Sequence, residues 1–268
     1  MTATTRPGSG GLTRHGALRV PQVTAVFWAT KALSTAMGES TSDYLVHAMA
    51  PFVAVLLGFV AFVVALALQL RAGRYVAWRY WLAVAMVGVF GTMAADVLHV
   101  GLGVPYEVST VVYAVGLAVV FAAWYRVEGT LSIHHIDTLR RELFYWAVVA
   151  ATFAMGTALG DFTAATLHLG YLTSAVLFAA LIAVPALGRA VLRWNAVLSF
   201  WFAYVVTRPL GASVADWLAK PHTIGGLALG DGPVALAFAV LIAGFVIYLS
   251  VTEADVQPVL SVTDATGS

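Results

Sequence analysis

The chain has no cysteine, which excludes disulfides, thiolate metal sites and iron–sulfur clusters. It is nearly as poor in charge. Only 10% of its 268 residues are Asp, Glu, Lys or Arg, against about 25% in a soluble domain. That is too few to coat a core drawn from a chain that is 61% hydrophobic. The net charge of +1 leaves no electrostatic footprint for nucleic acid. No glycine-rich phosphate loop and no nucleophile–His–acid set stands out, so neither ATP-driven pumping nor enzyme chemistry is expected. The start of the chain lacks a short apolar stretch with a cleavage site, and no signal peptide is expected.

What the chain has is long apolar runs, at 51–70, 108–125, 171–188 and 233–251. About 20 apolar residues in a helix span a bilayer core, so each run predicts a transmembrane helix. Between them lies a repeat. Trp28, Gly38 and Asp43 recur as Trp81, Gly91 and Asp96, then Trp146, Gly156 and Asp161, then Trp201, Gly211 and Asp216. Trp to Gly is ten positions and Gly to Asp five in every copy. The endings read GESTSD, GTMAAD, GTALGD and GASVAD. Trp28 to Trp81 is 53 positions and Trp146 to Trp201 is 55, which suggests a two-hairpin unit that was itself duplicated.

Each copy holds a motif helix, near 23–47, 78–100, 143–167 or 196–218, followed by one plain apolar helix. The expected fold is therefore an all-α integral membrane protein of about eight transmembrane helices, arranged as four parallel two-helix repeats. Its parts are a cytoplasmic tail at 1–21, a four-helix half at 22–127, a cytoplasmic loop at 128–142, a second half at 143–251 and a cytoplasmic tail at 252–268. Orientation follows from arginine. Arg6, Arg14, Arg19, Arg71, Arg74, Arg79, Arg126, Arg140, Arg141, Arg189 and Arg193 all fall on one side of this arrangement, and only Lys220 on the other. Positive loops are cytoplasmic, so both termini are expected there.

The plain helices have no ionisable side chain in their interiors. The motif helices carry Lys31, Glu39, Asp43, Asp96, Asp161, Arg208 and Asp216. A charge at the bilayer centre costs about 2.5–3.5 kcal/mol even on the mildest scale, and such residues are functional candidates by default. The five acids are expected to supply ion or proton sites. They stand towards helix C-termini, where the dipole disfavours a carboxylate, so Lys31, Arg208, protons or a bound cation should compensate. A pairing of Arg208 with Glu39 or Asp43 is one such arrangement. His47, His99, His168 and His222 follow the four Asp residues at irregular offsets. The first three are candidate metal ligands, and oxygen with imidazole suits divalent Mn, Fe, Co or Zn. Gly38, Gly91 and Gly156 read as close-packing residues. Gly211, next to Arg208–Pro209, reads as a kink, since proline removes a donor. The plainer readings stand beside these: Asp residues solvated at the outer interface, His as interface residues, Trp as anchors, and Lys31 with Arg208 as a structural ion-pair set.

The chain resembles a family of bacterial inner-membrane proteins known by several copies of a repeat of unknown function. The resemblance rests on K-x-x-x-T-x-x-G-E-S-x-x-D (Lys31, Thr35, Gly38, Glu39, Ser40, Asp43), F-Y-W…G-T-A-L-G-D over 144–161, L-H-L-G-Y over 167–171 and T-R-P-L-G-A-S-x-A-D-W-L over 207–218. It covers nearly all of 22–250. The second copy departs, with Val84 and Thr92 where the first has Lys31 and Glu39. The family implies a bacterial inner membrane and a repeat architecture, and implies no substrate. The leading expectation is a secondary transporter of a cation, a divalent metal as cargo, exchanged for protons. A channel with an acidic constriction, a membrane cofactor protein and a sensor subunit are the alternatives. The expected partners are the lipid bilayer and a small cation or proton. A homo-oligomer is left open.

Overall fold

A computed structural model describes residues 17–257. Arg6, Arg14 and most of both tails lie outside the described residues. Among the described residues eight long helices follow one another: α1 Ala25–Ala48, α2 Pro51–Ala72, α3 Ala77–Asp96, α4 Tyr106–Glu128, α5 Leu139–Asp161, α6 Gly170–Leu192, α7 Ala196–Ala219 and α8 Asp231–Thr252. Local chemistry sets their ends. The Thr24 hydroxyl accepts from the Phe27 amide, Thr138 caps α5, and Asn195 caps α7. Pro51 opens α2, while Gly73 and Gly129 close α2 and α4 in the left-handed conformation. Straight after Asp96 and after Asp161, α3 and α5 widen into π turns, Val97–Gly101 and Phe162–Thr166. The other motif helices, α1 and α7, have no such turn.

Seven of the eight helices are long and apolar enough to cross a membrane, which marks a multi-pass membrane protein. The exception is α1. It has the length, but Lys31, Glu39, Asp43 and a run of Ser and Thr make it too polar by composition. Its burial explains how that is tolerated. Helices α1, α3, α5 and α7 close into an inner ring, each touching the next and α7 touching α1. The central windows of α3, α5 and α7 are 61%, 67% and 56% buried, against 17–22% for α2, α4, α6 and α8. The charged helices meet each other, and the plain ones turn outwards.

The two helices of a repeat pack less on each other than on helices of neighbouring repeats. Thus α2 lies on α3, α4 on α5, α6 on α7 and α8 on α1. The inner helices hold nearly all the buried charge and must adjoin, so each apolar helix is displaced onto the next motif helix. The four motif glycines mark the four seams of the ring. A side chain on Gly38 would lie 2.7 Å from the Gly88 backbone, and one on Gly91 2.6 Å from Phe153 Cβ. Gly156 faces the Arg208 and Pro209 side chains, and Gly211 faces Thr35. The helix α7 continues through Pro209, with Gly211 set against Thr35 of α1 and Pro209 against Gly156 of α5.

Below the charged zone the ring is filled by aromatics. Trp81, Trp146 and Trp201 are buried with Tyr80, Tyr145 and Tyr204, and each pair packs edge to face. The segments at this end carry Arg19, Arg71, Arg74, Arg79, Arg126, Arg140, Arg141, Arg189 and Arg193. They are clamped together. The fully buried Glu142 takes Arg19 at 2.7 Å and the Gln69 amide at 2.9 Å, and the Gln22 amide reaches the Asp255 carbonyl at 2.7 Å.

Candidate acidic site

The residue after each motif glycine is Glu39, Thr92, Thr157 or Ala212. The ring brings the first three together on its axis, around Arg208. Arg208 is 0% exposed, and its Nη2 lies 2.7 Å from Glu39 Oε2 and 2.6 Å from Thr157 Oγ1, with Thr92 Oγ1 also bonded. Nη1 donates to the Thr35 carbonyl at 3.3 Å. The two threonine hydroxyls stand 3.1 and 3.3 Å from the same Glu39 oxygen. All four inner helices thus contribute to one ion pair. A buried pair of this kind gives little net stability, but losing one partner costs about 3–5 kcal/mol.

Lys31, also expected to be a counter-charge, meets no acid among the described residues. It is 1% exposed, and its Nζ has no hydrogen-bond partner. It rests 4.2 Å from the Tyr204 ring centre and 4.5 Å from that of Phe153. Such contacts contribute about 2 kcal/mol each when desolvated, against several kcal/mol for burying an ion.

Beyond Glu39, one turn along α1, stands Asp43. Across the seam α7 brings Asp216, its repeat counterpart. Oxygens of Glu39, Asp43 and Asp216 all lie within 4.8 Å of one another. Glu39 and Asp216 are buried, and Asp43 is partly so. Lys220, at the C-terminus of α7, pairs with Asp43 and stands 3.8 Å from Asp216 and 3.5 Å from Asp231. Its segment folds back on α7: the amides of Leu227, Ala228, Leu229 and Gly230 take the carbonyls of Trp217, Lys220, Leu218 and Ala219. Burial works against the Lys220 charge, but Asp43, Asp216 and Asp231 outweigh it and hold the ammonium above its usual value. Three carboxylates and Lys220 converge at the end opposite the arginines.

The other expected site residues lie apart from this cluster. Asp96 and Asp161 occupy the matching positions on α3 and α5, at the start of the π turns, and are not among the three converging acids. The expected histidine ligands do not join it either. His47 is exposed, with Nδ1 on the Asp43 carbonyl at 2.6 Å. His99 meets the Val104 carbonyl at 2.7 Å and stacks on Tyr106. His168 is exposed in the left-handed region, φ 54°. The physical reason is that each histidine lies beyond the inner ring, in or next to a connecting segment, where it bonds nearby carbonyls or faces outwards. His222, left as an ordinary residue, bonds the Gly226 carbonyl.

Sequence reasoning missed Lys220 and Asp231 as partners of the site, and Thr92 and Thr157 as partners of Arg208. Lys220 had a signal, as the one cation at its end. Thr92 and Thr157 had one too, as the aligned counterparts of Glu39.

The Repeat of Unknown Function (DUF347) model matches this chain four times, over residues 26–75, 79–130, 144–193 and 199–255. No curated protein and no solved structure matches the chain.

Proposed function

We propose, for a chain that belongs to the family defined by this Repeat of Unknown Function, the role of a secondary transporter of a divalent cation. The observation that carries the reading is the convergence of Glu39, Asp43 and Asp216, with oxygens within 4.8 Å of one another at a helix seam. Carboxylates on one spot repel unless a cation sits among them. Lys220, whose side chain is 20% exposed, and Arg208, paired with Glu39, now supply that charge. With the histidines away, the donors are all oxygen. That favours Mg, Mn or Ca over Zn as cargo.

Arg208 on the ring axis, 0% exposed, supports a carrier over an open channel. Asp96 and Asp161 are read as a second acidic station, reached when the ring rearranges at the π turns, which are frequent at functional sites. The four matched segments each take in a motif helix and the apolar helix after it, which supports four parallel two-helix repeats in two related halves. Arginine at one end supports an inner-membrane protein with both termini cytoplasmic. The acidic site then opens to the outside.

The test is uptake into reconstituted vesicles, screening Mn, Mg, Ca, Co, Fe and Zn against wild type, Asp43→Asn and Asp216→Asn. One ion should move in the wild type and fall at least tenfold in both variants. Equal transport by folded variants would sink the reading.

A further inference from the structure

The acidic site leaves the other end of the molecule without a ligand of its own. There a cavity of about 580 Å³ lies between α6, α7, the start of α1 and the connection at 131–134. Along α6 it is lined by Ile182, Ala186 and Arg189, which share one helix face. Ile182 to Arg189 spans about 10 Å along the helix axis. Along α7 it is lined by Ser199 and Ala203, and Trp28 of α1 borders it. The cavity is thus an apolar groove running with the helices and ending at the level of the arginines. Its mouth borders lipid: Ala186 is exposed, on a helix whose central window is only 22% buried.

The charged groups gather at one end of the groove. Arg189 and His134 line the cavity, and no Asp, Glu or Lys does. The turn between α6 and α7 fixes the arginine. A side chain on Gly188 would lie 2.5 Å from the Trp194 ring, and the Trp194 carbonyl accepts from Arg189 Nη1 at 3.3 Å. The acids at this end are engaged elsewhere: Glu142 with Arg19, Glu128 with Arg140 and Arg141, and Asp137 with Arg141. The rest of the Arg189 fork has no partner among the described residues, and a guanidinium fork suits a phosphate. His134 is held through Nδ1 by Gln257 Oε1 at 3.0 Å, which leaves its other ring nitrogen for a ligand. Ser199, about one turn below the charged end, is 6% exposed, and its hydroxyl has no hydrogen-bond partner. A second cavity, of about 560 Å³ between α4 and α7, carries no charged side chain. Apolar space alone is therefore not what sets the first apart.

We propose that the first cavity binds one anionic glycerophospholipid. Its phosphate accepts from Arg189 and His134, an ester carbonyl accepts from the Ser199 hydroxyl, and one acyl chain lies along Ile182, Ala186 and Ala203. Basic pockets between transmembrane helices recognise headgroups in this way, and the apolar groove selects a lipid over a free anion. This requires only that α6 and α7 cross the membrane, whatever the acidic site carries.

The experiment is native mass spectrometry of the full chain released from bilayers of equal phosphatidylglycerol and phosphatidylcholine. Wild type should retain one phosphatidylglycerol, with a preference of at least tenfold. Arg189→Gln should lower that preference at least fivefold. Ala186→Trp fills the groove from its exposed edge, away from the seams of the ring, and should remove the retained lipid. Leu198→Trp, at an exposed position of the second cavity, should change neither result. Equal retention of both lipids, or unchanged retention in Arg189→Gln and Ala186→Trp, overturns the proposal and leaves the cavity as a place for ordinary boundary lipid. Displacement of the retained lipid by inorganic phosphate would show that the anion alone is recognised, and overturns it as well.

Discussion

Arg208 Nη2 on α7 stands 2.7 Å from Glu39 Oε2 on α1, joining two helices 169 residues apart in the chain. The pair sits where four copies of one motif meet, and it is held by threonines from the other two. The copies have kept one motif spacing and divided the charges among them. Carboxylate, hydroxyl, hydroxyl and methyl now follow the four motif glycines.

That division makes the ion pair sensitive to loss of one side. Glu39→Gln leaves Arg208 without its anion, and destabilisation of about 3–5 kcal/mol is expected. Arg208→Met should cost a similar amount by stranding Glu39. The double variant should recover part of the loss. Thermal unfolding in detergent checks this, and strictly additive losses would show that the two residues are uncoupled.

The seam glycines give a contrast within one residue type. Gly38→Ala drives a methyl group into the Gly88 backbone, 2.7 Å away. A cost of about 1–3 kcal/mol is expected from overpacking. Gly116→Ala and Gly244→Ala meet open space on outer helices and should be neutral or slightly stabilising, since alanine is the better helix former. Comparing the yields of folded protein after heating distinguishes the two groups.

Lys220 ties stability to alkaline pH. Its folded-state value is raised by three acids, so its contribution is complete below the unfolded value of about 10.4. As pH climbs from there through the folded value, that contribution is lost. Wild type should therefore unfold later than Lys220→Met at pH 8, with the gap narrowing above about pH 10.5. A gap independent of pH would mean that the ammonium contributes only packing.

The histidines supply a negative control for transport. His47→Ala, His99→Ala and His168→Ala should retain cation uptake within about twofold of wild type, because none of these side chains joins the carboxylate cluster. A tenfold loss in any of them would return imidazole to the ligand set and move the preferred ion towards Zn.

Much of this was legible beforehand because membrane burial leaves a strong mark. The apolar runs became α2, α4, α6 and α8, and the motif stretches became the inner helices within a few residues. Confining charge to the motif helices pointed to their mutual contact, and the Arg208–Glu39 pairing was among the arrangements foreseen. Other features were hidden because they depend on which helix lies beside which. Nothing in 51–70 says that α2 leans on α3 rather than on α1. His47 and His99 share helix spacing with Asp43 and Asp96, yet His47 faces outwards at the end of α1 and His99 is carried off by the π turn. Lys220 looked like a loop residue, yet it caps α7 where that helix packs on α1 and so meets Asp43, while the fold-back of the following segment brings Asp231 to it.

The cyclic packing sets an order of events during synthesis. The earliest of the described helices, α1, holds Lys31, Glu39 and Asp43, and is the least able to enter lipid alone. Its partner Arg208 lies 169 residues further on. At about 5–20 residues per second the ribosome delivers it roughly ten to thirty seconds later. Until then α1 has no ring to enter, and α8, which covers its outer face, comes later still. The opening helix must wait at the insertion machinery or at the membrane surface for the last quarter of the chain. Nascent chains stopped before α7 should therefore leave α1 open to water-soluble reagents, and full-length chains should protect it.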